Sequence, residues 1–152
     1  MGLPDYANIA TIFGFILTIL AISITAYQIY KNTRVNQAHF WLELEKMFAT
    51  HDEVHLNLRP GGDWVETNSG PNNLEEWGKV EDYMRLFEHC KIMLKKKLID
   101  RQTFESIYKY RLKNIVANEC IVNAKLIDEK SSWADFIDLL EMFEIQYKTA
   151  PK

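Results

Sequence analysis

Two hydrophobic patterns follow one another along the chain. From Tyr6 to Tyr30 the sequence YANIATIFGFILTILAISITAYQIY has no charged residue and is apolar on nearly every side. Beyond Lys31 the apolar positions narrow to a stripe recurring every three or four residues, the period of an amphipathic helix. Read from Asn8 to Tyr30, the first run exceeds the roughly 30 Å hydrocarbon core of a bilayer at about 1.5 Å per residue, so it is expected to span a membrane. A cleaved signal peptide fits less well, because the preceding MGLPD holds Asp5 and no Lys or Arg, and the run is too long for an h-region. A buried core helix fits less well too, since the charged remainder of the chain has little apolar surface with which to cover it.

The helix is expected to continue through KNTRVNQAHFWLELEKMFAT, where Ala38, Trp41, Leu42, Glu45 and Phe48 recur at helical spacing without Pro or Gly. Asp52 is placed to cap a short helix, EVHLNLR, which Pro60 and Gly61-Gly62 end. RPGGDWVETNSGPNN reads as a long loop whose Trp64 packs down. Asn73 and Glu76 make a capping-box start for a helix to about Lys96, with Leu74, Trp77, Val80, Met84, Phe87 and Leu94 inward. Asp100 caps the next, with Phe104, Ile107, Tyr108, Leu112, Ile115 and Val116 on its stripe. A break near Asn118 precedes a segment from Cys120 to Lys130. Ser132 with Asp135 opens a last helix to about Tyr147, burying Trp133, Phe136, Ile137, Leu140, Phe143 and Tyr147. No run alternates with the strand period and no segment repeats. The expected fold is all-α: a transmembrane helix over 1–30, a juxtamembrane helical stalk over 31–50, and a small cytosolic helical bundle over 51–152.

Charge orients this arrangement. Lys31 and Arg34 follow the span and only Asp5 precedes it, which puts the N-terminus outside and the rest in the cytoplasm. Cys90 and Cys120, far apart and outside any C-x-x-C spacing, fit two helix residues in a reducing compartment. The net charge of -3 argues against a nucleic-acid polymer as partner. Within that average, 91–113 is basic, holding Lys91, Lys95, Lys96, Lys97, Arg101, Lys109, Arg111 and Lys113 against Asp100 and Glu105. Such clustered cations suit lipid head groups or a small anionic ligand, with Arg59, Lys95, Lys96, Lys97 and Arg111 as candidate contacts. The bland reading is a solvated helix end, where lysines complement the dipole.

Inside the span, Thr11, Gly14, Thr18, Ala21, Thr25 and Gln28 form a seam of small or polar residues, and Ala10, Gly14 and Thr18 make a small-xxx-small series. That pattern lets membrane helices approach closely, so a homo-oligomer is expected. Its competitor is a lone anchor whose Thr hydroxyls bond their own backbone. His51-Asp52-Glu53-Val54-His55 sets two imidazoles one helical turn apart and is similar to the H-E-x-x-H zinc motif, with Asp52 in the place of Glu. If Asp52 caps the helix, His51 falls outside it, and no third ligand is evident beyond Glu88-His89; His51 and His55 are therefore weak metal candidates, and no cofactor is assigned. No nucleophile elbow, P-loop or dinucleotide fingerprint is present, and a non-enzymatic protein is expected.

The order NQAHFWLELEKMF, HDEVHLNLRPGGDW, EEWGKVEDYMRLFEHCKIML, LIDRQTFESIYKYRLKNIVAN and SSWADFIDLLE resembles a family of small uncharacterised bacterial single-span proteins with a C-terminal cytosolic helical domain. That resemblance implies a bacterial inner membrane and supplies no catalytic or binding residues. In architecture alone the chain is also similar to the small membrane effectors of type III CRISPR defence, which join a span to a domain that binds a cyclic oligoadenylate. The expectation is a membrane-anchored interaction or scaffold module with a cytosolic protein partner. The alternatives are an effector gated by an anionic nucleotide-like ligand, and a metal-dependent enzyme.

Overall fold

The computed structural model describes residues 3–147, with side chains described for 17–33 and 35–147. Its elements are α1 (Leu3–Ala49), α2 (Asp52–Leu58), α3 (Asp63–Glu66), α4 (Leu74–Lys95), α5 (Arg101–Ala117), α6 (Glu119–Ile121), a π-helical segment (Val122–Asp128) and α7 (Ala134–Met142). The fold is all-α, and no strand occurs among the described residues. The chain divides into two compact units, Met1–Glu43 and Leu44–Lys152. The helical unit therefore begins at Leu44, inside α1, whereas the sequence reading began it at 51.

In the first unit α1 runs unbroken, as the absence of Pro and Gly after Gly14 led one to expect. Its described side chains between 17 and 33 are all exposed. Among the described residues no helix is long and apolar enough to cross a membrane. The expected span begins at Asn8, and its part over 8–16 lies outside the residues whose side chains are described.

In the second unit Leu44 and Phe48 enter the core from the last turns of α1, each 1% exposed. Leu42, expected on that face, is exposed, because Leu44 and Phe48 rather than Leu42 define the covered side. Around Phe48 an aromatic cluster closes. Its ring stacks on Tyr108 at 4.2 Å between centroids and lies 4.9 Å from Phe87 and 6.2 Å from Tyr83. Phe87 then meets Phe104 and Phe136, joining α4 to α5 and α7. Helix α4 is the central element: α7 packs along it, and α2 packs against α3, α4 and α5.

The caps decide where the helices start. Asn73 Oδ1 accepts from the Glu76 N–H at 2.9 Å, and Glu76 Oε2 accepts from the Asn72 N–H at 2.6 Å, a reciprocal pair that opens α4. Asp100 accepts from both the N–H and the hydroxyl of Thr103 and opens α5. Asn118 ends α5 and opens α6, its Oδ1 accepting from Ile121 N while its Nδ2 donates to the Ser69 carbonyl. Two expected caps differ. His51, not Asp52, is the residue before α2, and Trp133, not Ser132, precedes α7, neither with a side-chain cap bond. α7 ends at Met142, before the expected Tyr147, and Glu144 follows in the left-handed region at φ 55°.

Gly61 and Gly62 make the return from α2 to α3. Gly61 takes φ 81°, and a Cβ on Gly62 would overlap the Leu56 carbonyl oxygen and sit 2.5 Å from that of Asn57. Only a bare Cα fits there. The return lets Trp64 of α3 pack down, 6% exposed, as the loop reading expected.

Candidate functional site

The chemistry-bearing residues meet where α2 lies against α4 and α5. Arg111 of α5 is the hub. Both of its terminal nitrogens lie 3.3 Å from Asp52 Oδ1, and its Nε donates to the Tyr110 hydroxyl at 3.2 Å. Its guanidinium also stands 5.6 Å over the Phe48 ring. One side chain thus ties the end of α1, the start of α2 and the middle of α5. This pairing explains why Asp52 does not cap α2: a carboxylate engaged by a largely buried guanidinium gains more than from a backbone N–H at an exposed helix start.

His55 lies beside this pair, 8% exposed. Its Nε2 is 3.4 Å from the Tyr110 hydroxyl, and its Nδ1 is buried without a hydrogen-bond partner. Burial and the neighbouring Arg111 hold its pKa below the ordinary 6.5, with Arg59 adding to them and Asp52 opposing. His51 sits one turn earlier, its ring 5.8 Å from that of Tyr83, and burial lowers its pKa against the pull of Asp82. The fully buried Tyr83 hydroxyl meets no partner at hydrogen-bonding geometry; burial pushes its pKa up, while the nearby Arg111 draws it down.

The two histidines therefore face different partners, His51 toward Tyr83 on α4 and His55 toward Tyr110 on α5. Among the described residues no group of three His, Cys, Asp or Glu side chains is placed to hold a metal ion. Glu88, considered as a neighbour, instead accepts from the Phe136 N–H at the start of α7.

Of the candidate anion contacts, Arg59 and Arg111 both act on His55 and so share one locality. Lys95, Lys96 and Lys97 are elsewhere. They form the exposed last residue of α4 and the turn after it, Lys97 at φ 56°, and Lys95 lies twelve residues along α4 from Tyr83, about 18 Å at the helical rise. Most of the other cations in 91–113 are bound within the fold. Lys91 pairs with Asp135 and Asp138, Arg101 donates to the Met142 carbonyl, and Lys109 pairs with Glu105. On α1, Thr11 and Gly14 lie outside the residues whose side chains are described, while Thr18, Ala21, Thr25 and Gln28 are exposed. Thr25 Oγ1 donates to its own helix at Ala21 O, 2.8 Å away.

Sequence reasoning missed two buried lysines. Lys91 stands among Phe87, Cys90 and Leu94 on the covered face of α4. Lys125 in the π-helical segment pairs with Glu81 and Glu129 and lies 5.1 Å over the Trp77 ring. The signal for Lys91 was its place at Phe87 + 4, a charged residue inside an apolar stripe. A cleft of about 300 Å³ also went unread, lined in part by Trp64, Asn68, Asn114, Asn118, Cys120 and Asn123. No known protein family, curated protein or solved structure matches this chain.

Proposed function

We propose that the protein is a membrane-anchored, non-enzymatic interaction module that self-associates through its first helix. The observation that carries this reading is the apolar surface of α1. Leu17, Ile19, Leu20, Ile22, Ile24, Tyr27, Ile29 and Tyr30 are each at least half exposed, in a sequence uncharged back to Tyr6. Large exposed apolar surface of this kind is disfavoured in water and favoured in a bilayer. Tyr27 and Tyr30 then sit at the interface with Lys31 just beyond, which supports a cytoplasmic helical unit at a bacterial inner membrane. The exposed Thr18, Ala21, Thr25 and Gln28 offer the face for a second copy.

Alkaline carbonate washing of membranes containing the full chain tests the anchor: the protein is expected in the pellet, and release to the supernatant overturns it. Native mass spectrometry in mild detergent is expected to show more than one subunit; a clean monomer overturns self-association while leaving the anchor standing.

A second reading, an effector gated by an anionic nucleotide-like ligand, is favoured by the convergence of Arg59 and Arg111 on one locality. It predicts ligand-dependent leakage of liposomes that Arg111→Gln abolishes.

A further inference from the structure

His55 sits where three helices meet, beside a carboxylate that Arg111 already engages. From its own helix Asp52 acts on it, and Arg59 from just past the helix end. From α5 come Tyr110 and Arg111. On α4, Tyr83 lies near the same guanidinium and Asp82 acts on His51. Helix α3, which also packs against α2, carries the carboxylates Asp63 and Glu66. The balance is two fixed cations against one carboxylate, and that carboxylate is already taken by both terminal nitrogens of Arg111.

A neutral imidazole suits this setting. Its Nε2 can accept a hydrogen bond from the Tyr110 hydroxyl, whose oxygen accepts from Arg111 Nε. An imidazolium does not suit it. It would present a new N–H from Nε2 to that same hydroxyl, which would then face two cationic donors, while the partnerless Nδ1 already carries the proton of the neutral ring and offers no relief. Its charge would repel Arg111 and Arg59 and compete for Asp52. Arg111 is also the cation over Phe48, so its displacement reaches the side chain that stacks the end of α1 on Tyr108.

We infer that the contact of α2 with α5 is an acid-sensitive latch: protonation of His55 breaks the Asp52–Arg111 pair, releases α2 and loosens the hold on Phe48. The sign agrees with the depressed pKa of His55. A group favoured in its neutral form contributes stability that is complete above its unfolded pKa, about 6.5, and is lost as pH falls through its folded value. The latch is closed at neutral pH and opens in acid. It does not depend on the membrane reading, because every residue in it belongs to the unit from Leu44 onward.

Hydrogen exchange of the full-length chain in mild detergent, followed between about pH 7.5 and 5.0, tests this. Protection factors for 52–58, corrected for intrinsic exchange, are expected to fall below about pH 6.5 by up to about tenfold per unit of pKa depression. His55→Gln is expected to keep only the shallower fall that His51 contributes, and His51→Gln to keep most of the wild-type fall. Flat protection in the wild type, or the same fall in His55→Gln, overturns the latch. Nitrogen-15 NMR of the imidazoles in the wild type decides the matter should His55→Gln not fold. A loss of protection that tracks the titration of His55 supports the latch, and a loss while His55 stays neutral overturns it.

Discussion

Lys91 shows how the exposure of the partners, more than the presence of an ion pair, sets the worth of a charge. Its side chain is only 10% exposed, yet Asp135 and Asp138, with which it pairs, are 49% and 59% exposed. Water can solvate both carboxylates if the lysine goes. Lys91→Met, which keeps the stem over Phe87 and Leu94, is therefore expected to change stability by about 1 kcal/mol or less in urea unfolding. Lys91→Glu would face Asp135, Asp138 and Glu88 with a fourth carboxylate, and is expected to cost about 3 kcal/mol or more at neutral pH, recovering in acid. Phe48 is the opposite case, a side chain without charge whose worth is chiefly packing: at 1% exposure and in contact with three aromatic rings, Phe48→Ala is expected to cost about 3–5 kcal/mol by the same measurement.

At the scale of elements, the caps that were legible in the sequence are those whose partners lie three residues away. Asn73 with Glu76, the cap at Asp100 and the break at Asn118 stand as read, because local spacing alone satisfies them. Asn73→Ala is expected to lower stability by about 1 kcal/mol and to fray the first turn of α4 in hydrogen exchange. Asp52 was not legible as a partner of Arg111, since fifty-nine residues separate them and no local rule reports that contact. Stripe positions failed at the helix starts and outer edges. Leu74 is 89% exposed and Ile107 44%, because periodicity names a face without saying where the neighbouring helix ends. The π-helical segment was illegible altogether, its period lying outside both patterns sought. The bare approach at Gly62 was read only as a helix stop; Gly62→Ala is expected to displace α3 and expose Trp64, seen as a red shift of its fluorescence.

For the whole molecule the question is what the long helix contributes to the helical unit. The core closes within Leu44–Lys152, and α1 supplies two of its buried side chains from its last two turns. Residues before Glu43 add none of the buried positions among the described residues. Two truncations separate these roles. A chain beginning at Val35 retains Leu44 and Phe48 within several helical turns and is expected to melt cooperatively, close to the full-length protein. A chain beginning at His51 matches the boundary that periodicity suggested, but it loses both side chains. Truncating buried Leu and Phe to Ala costs about 2–5 and 3–5 kcal/mol respectively, which together rival the 5–15 kcal/mol or so that a domain holds in total. That shorter chain is expected to lack a cooperative transition in thermal circular dichroism. Cooperative melting of the His51 chain would mean that α1 merely touches the bundle; its failure beside a stable Val35 chain would make the last turns of α1 part of the bundle.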